Sequence, residues 1–164
     1  MPEEPAAELH EGTAEMDTHT RTDRTAGADR GTRTEESRAV VLAYLEALTE
    51  GDFARLRAFF REDSTWTLAG DLPLSRTWTG PDEILGEFVP AMVARLLPET
   101  MEFEVDGLLA DGDRVLAEWN TRATTRTGHR YDQHCLAVIT VRDGRLADVR
   151  EYLDTLHART TVFA

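Results

Sequence analysis

Tyr131-Asp-Gln-His-Cys-Leu-Ala-Val-Ile-Thr-Val141, Arg142-Asp-Gly144 and Arg145-Leu-Ala-Asp-Val-Arg-Glu-Tyr-Leu-Asp-Thr155 decide the fold. Two alternating runs flank an Asp-Gly pair, the strongest short-range signal for an antiparallel hairpin. In the second run Glu151 shares a strand face with Ala147, Val149 and Leu153. A carboxylate on an otherwise apolar face is costly to bury unless it is paired, protonated or used. Glu151 is therefore the first candidate for chemistry.

Upstream of this hairpin the period is also two. Met101, Phe103 and Val105 alternate with Glu102, Glu104 and Asp106. Asp111-Gly112 turns the chain, Arg114 to Thr125 forms a long strand, and Arg126-Thr-Gly128 turns it again. Before Pro98 the period is helical. Val40, Val41, Tyr44, Leu45 and Leu48 mark a first helix closed by Gly51, and Asp52 caps a short second one with Phe53, Leu56, Phe59 and Phe60. Ser64 to Leu68 reads as a strand and Ala69 to Gly80 as a loop. Pro81 and Asp82 open a third helix through Leu96, which Pro90 kinks or divides. Helices first and a four-stranded antiparallel meander after them mean α+β. Such a curved sheet, wrapped over the three helices, encloses a conical pocket.

The chain has 164 residues, enough for one domain with a sizeable core. Residues 1–34 are rich in Glu, Asp, Thr, Arg, Ala and Gly and are expected to be a disordered acidic tail, leaving 35–164 as the folded domain. A net charge of −13 argues against nucleic acid and anionic membrane surfaces as partners. The single cysteine, Cys135, excludes an internal disulfide. The N-terminus has neither a basic nor an apolar leader region, and no apolar run reaches membrane-spanning length, so a soluble cytoplasmic protein is expected.

On the strand 114–125 one face carries Val115, Ala117, Trp119, Thr121 and Ala123, and the other Leu116, Glu118, Asn120 and Arg122. The polar face either meets solvent or lines the pocket. If it lines the pocket, Glu118, Asn120 and Arg122 converge with Glu151, and two close carboxyls split their pKa values into an acid and a base. Arg122 would instead pair with either one and keep it ionised. Gln133 is positioned to orient a water or a carbonyl, or is an ordinary hydrogen-bonded amide. His134 is a weaker candidate base, and it points away from its neighbour Cys135, which argues against a nucleophilic pair. Trp66 and Leu68 share a face and supply apolar wall or plain core. No metal-ligand spacing, phosphate loop, dinucleotide fingerprint or nucleophile elbow occurs, so chemistry without metal or cofactor, or ligand binding alone, remains.

Tyr44-Leu-Glu-Ala-Leu-Thr-Glu-Gly-Asp52, Asp63-Ser-Thr-Trp-Thr-Leu-Ala-Gly70 and Arg142 to Thr155 resemble the SnoaL-like branch of the nuclear transport factor 2-like superfamily. The resemblance runs from about Ser37 to Leu156. It implies a cone-shaped antiparallel sheet around the helices with a central pocket, and a homodimer. Relatives include ketosteroid isomerases, polyketide cyclases, epoxide hydrolases and non-catalytic binding modules. The Arg, Asp and Asp of limonene epoxide hydrolases fall here on Glu118, Asn120 and Glu151, so only the last keeps a carboxylate. Their water-binding Tyr and Asn fall on Trp66 and Leu68. The acid/base Asp of SnoaL-type cyclases falls on Glu151 and its companion His on Ala137. The oxyanion Tyr of ketosteroid isomerase matches Tyr44, while its Asp residues fall on Leu68 and near Ala137. A Tyr-x-Asn-x-Tyr pattern of relatives stands here as Tyr131-x-Gln133-x-Cys135.

Together these imply a cofactor-independent acid/base enzyme acting as isomerase, cyclase or epoxide hydrolase on a small apolar or polycyclic molecule. Glu151, Glu118, Asn120 and Gln133 would be catalytic, and Tyr44, Trp66, Leu68, Arg122, Cys135, Ala137 and Leu153 would contact substrate. The alternative is a binding module or dimeric scaffold of the same fold.

Overall fold

A computed structural model describes residues 14–164, with side chains from Gly27 onward except that of Phe53. The first helix, α1, spans Ala14–Glu50. Its inner stripe is Ser37, Val41, Tyr44, Leu45 and Ala47, all buried. The disordered tail expected over residues 1–34 differs from this. Residues 1–13 lie outside the described residues, and from Ala14 onward the backbone is already helical. Composition is a poor guide there, because extending an existing helix costs far less than nucleating one. Two contacts hold the stretch before Glu35 to the sheet: Arg30 pairs with Asp111 at 2.5 Å, and Thr34 Oγ1 accepts from the Gly112 amide at 2.8 Å.

Helix α2 (Phe53–Leu56) starts on the expected cap, where Asp52 accepts from the Arg55 amide at 3.0 Å. Strand β1 (Phe60–Leu68) follows, then a short β2 (Thr77–Thr79) inside the expected loop. The third helical region is α3 (Gly80–Glu83), a widened π turn (Ile84–Phe88) and α4 (Val89–Val93). The widening falls just before Pro90, whose ring would crowd the carbonyl four residues back in a regular helix. Strands β3 (Glu102–Asp111), β4 (Arg114–Thr124), β5 (Arg130–Arg142) and β6 (Arg145–Leu153) form the anticipated meander. Asp143 and Gly144 both take positive φ, 51° and 69°, as a tight Asp-Gly hairpin turn demands.

The six strands form one curved sheet in the order β2-β1-β6-β5-β4-β3. The fold is α+β, with the helices on the concave side. The sheet is not wholly antiparallel, because β1 joins β6 in parallel. A further helix, α5 (Thr155–Thr161), takes over directly from β6, and Asp154 accepts from the amides of Leu156 and His157 to cap it. Among the described residues no helix is long and apolar enough to cross a membrane.

Candidate functional site

Across four strands, Leu68 of β1, Glu151 of β6, Ala137 of β5 and Ala117 of β4 stand directly opposite one another. Residues opposite each other in a sheet share a face. This rung therefore lies on the concave, helix-covered side, where Leu68, Ala137 and Ala117 are buried. Among the described residues Glu151 is the acidic one in the buried set.

The Trp66 indole N–H donates to Glu151 Oε2 at 3.0 Å. The indole is held from behind by packed rings. Tyr44 of α1 meets Phe60 edge-on at 5.7 Å, Phe60 meets Trp66 at 6.4 Å, and Trp66 meets Phe88 at 5.9 Å. Burial pushes the Glu151 pKa up to about 7, and the indole hydrogen bond restrains the rise. At neutral pH the group is thus divided between acid and carboxylate. The Tyr44 phenol is held well above its ordinary range, by burial first and then by the nearby Glu151 charge. Tyr131 and Cys135 are shifted upward for the same leading reason, and both feel Glu151. These neighbours stay protonated, so beside Glu151, which can take a proton near neutrality, the Tyr44 and Tyr131 phenols can donate hydrogen bonds.

The site residues expected from sequence divide between two faces. Glu151, Gln133, Tyr44, Trp66, Leu68, Cys135 and Ala137 are buried on the inner side, and Leu153, opposite Cys135, packs at its margin. Glu118, Asn120 and Arg122 are not with them. Glu118 stands opposite Leu136, which stands opposite the half-exposed Tyr152, so all three lie on the convex side. There Asn120 donates to Asp106 at 2.8 Å, while Arg122 pairs with Glu104 at 2.9 Å and Asp132 at 3.3 Å. The two-carboxylate arrangement with Glu118 is therefore corrected. The apolar face of β4 (Val115, Ala117 and Trp119) faces the core, because burying it stabilises the fold and burying Glu118, Asn120 and Arg122 would cost desolvation.

The sequence reading makes Trp66 apolar wall or plain core, and the structure adds a donor role. The available signal was that a buried indole N–H needs an acceptor. Two open clefts lie elsewhere. One of about 550 Å³ is lined by Arg61, Glu62, Asp63, Asp143 and Arg145, and one of about 270 Å³ lies beside Leu109, Arg114 and Val138. The expected central pocket around Glu151 is neither of these.

With this geometry in hand, comparison with known proteins is informative. The family profile described as "SnoaL-like domain" matches residues 41–149. No curated protein matches the chain. Among solved structures, Bal32a from a soil-derived mobile gene cassette is 25% identical with a TM-score of 0.68, covering 77% of this chain and 95% of its own. TerC, co-crystallized with polyporic acid, is 20% identical with a TM-score of 0.69, covering 79% and 99%. A protein of Jannaschia sp. CCS1, provisionally named a SnoaL-like polyketide cyclase, is 15% identical with a TM-score of 0.67, covering 80% and 94%. The last two likenesses speak for the fold alone.

Proposed function

Because the chain belongs to the SnoaL-like domain family, we propose that it is a cofactor-independent acid/base enzyme in which Glu151 alone moves the proton. The observation that carries this reading is a buried carboxyl, hydrogen-bonded by Trp66 and poised at about 7. A base of that strength suits proton transfer at neutral pH. The substrate is a small, largely apolar ketone. Glu151 takes a proton from the carbon next to the carbonyl, and the C–H electron pair moves into the carbonyl to form an enolate. The Tyr44 phenol, kept protonated by burial, donates to the enolate oxygen. Where the ketone carries a β,γ double bond the enolate is a conjugated dienolate, and Glu151 returns the proton to its γ-carbon as the double bond shifts to the α,β position, which isomerises the substrate. In an aldol-type cyclisation it protonates the alkoxide formed when the enolate attacks another carbonyl. Epoxide opening is the weakest of the three, since it calls for an acid and a base together and Glu118 lies on the other face. A neighbour of this fold holds polyporic acid, which supports a small organic ligand.

Hydrogen–deuterium exchange at the carbon next to the carbonyl of tetralone and flavanone, followed by NMR in heavy water, tests the proposal without knowledge of the natural product. The protein accelerates exchange, and Glu151→Gln abolishes the acceleration while probe binding persists. Equal exchange by the variant would sink the assignment. The alternative is a binding module without turnover. Binding of both probes with no exchange by the unaltered protein would select it. Leu109 and Tyr152, exposed beside Leu116, Leu136 and Val138 on the convex face, support a homodimer, which sedimentation would check.

A further inference from the structure

The inner face is not apolar from end to end. Cys135, Ala137 and Ile139 of β5 belong to the main core cluster, whereas Tyr131 belongs to a second one with Leu96, Ala123 and Val162. Between them lies a polar rung, Gln133 of β5 opposite Thr121 of β4. Gln133 is 1% exposed. Its amide orientation is fixed, because Nε2 donates to the His134 carbonyl at 2.9 Å. Its Oε1 is buried and accepts no hydrogen bond. A buried acceptor left unpaired is destabilising, and an apolar side chain of similar size would remove the penalty. The amide is thus built to receive something that the chain itself does not supply.

The position of this acceptor defines what it would receive. Gln133 and Ala137 are four residues apart on one strand face, and Ala137 is the cross-strand neighbour of Glu151. At a rise of about 3.3 Å per residue the two stations are separated by roughly 13 Å. Cys135 and Trp119, opposite each other, form the apolar floor between them.

We propose that Gln133 Oε1 accepts a hydrogen bond from a hydroxyl at the end of the substrate remote from the carbon that Glu151 deprotonates, so that the site selects ketones with a distal hydroxyl over those without one. The placement of the reacting end rests on the reading of Glu151 above; the anchoring of the hydroxyl does not.

The probes are flavanone, its analogue with one hydroxyl at the para position of the pendant ring, and the methoxy counterpart, which cannot donate. Binding is measured by calorimetry. The unaltered protein binds the hydroxylated probe about tenfold more tightly than the other two, the value of one well-made buried hydrogen bond. Gln133→Leu erases that preference and binds flavanone at least as well as before. Glu151→Gln keeps the preference even though exchange is lost, which separates failure of the anchor from failure of the base. Equal affinity of the unaltered protein for all three probes, or no binding of any, overturns the proposal. So does a preference that survives in Gln133→Leu. Should Gln133→Leu not fold, the comparison of hydroxy with methoxy probe on the unaltered protein decides alone.

Discussion

The two faces of strand β4 carry carboxylate chemistry to opposite ends. On the convex face Glu118 shares β4 with Arg122, which pairs with Glu104 and Asp132 at the water boundary, and with Asn120, which donates to Asp106. On the concave face the rung through Ala117 leads to Glu151, which meets one indole and is pushed up to about 7. The same functional group thus lies among ion pairs at the water boundary on one side and is buried with a raised pKa on the other. Surroundings, more than residue type, decide which.

The contrast is easiest to break with paired substitutions. Glu151→Gln is expected to lower α-proton exchange by about 10²–10⁴-fold, whereas Glu118→Gln changes it less than about twofold. Comparable losses in both would erase the distinction between the faces.

A second test uses stability. Glu151 rises from an ordinary 4.5 to about 7 on folding, so the folded chain holds a proton that the unfolded chain releases. Stability is then lost as pH rises from 4.5 to 7, by about 3 kcal/mol as an upper figure. Glu151→Gln lacks this dependence. Urea titrations of the two proteins should agree near pH 4.5 and separate progressively toward pH 8, with the variant the more stable. Parallel curves would mean that Glu151 is ordinarily solvated.

Removing the indole donor sharpens the picture. Trp66→Phe takes away the hydrogen bond that restrains the shift, so the midpoint of the pH–exchange curve moves upward by about one unit. A downward or absent movement would show that Trp66 does not touch the ionised form. The smallest effect belongs to the convex face. Arg122→Ala should leave the urea midpoint nearly unchanged, at low salt and at high salt alike.

Much of this arrangement was legible in the residues. The Asp143-Gly144 turn, the alternation of the last strands and the anomaly of Glu151 all follow from local rules. On β4 the pattern leaves open which face meets the core, and apolarity decides it: Val115, Ala117 and Trp119 form the more apolar row and turn inward, which carries Glu118, Asn120 and Arg122 outward. Helix α5 was invisible because Asp154-Thr155 continues the alternation of β6, and the cap shows itself only when Asp154 turns to the amides of Leu156 and His157. The partnership of Trp66 with Glu151 joins residues 85 apart, and no periodicity reaches that far.

That separation bears on biosynthesis. β1 emerges from the ribosome long before its neighbour β6, which docks alongside it in parallel. Until then one margin of β1 has no backbone partner, and long-range pairing of this kind is slow. The contact between Trp66 and Glu151 thus forms only after β6 has been made, and nascent fragments ending before residue 145 lack it altogether.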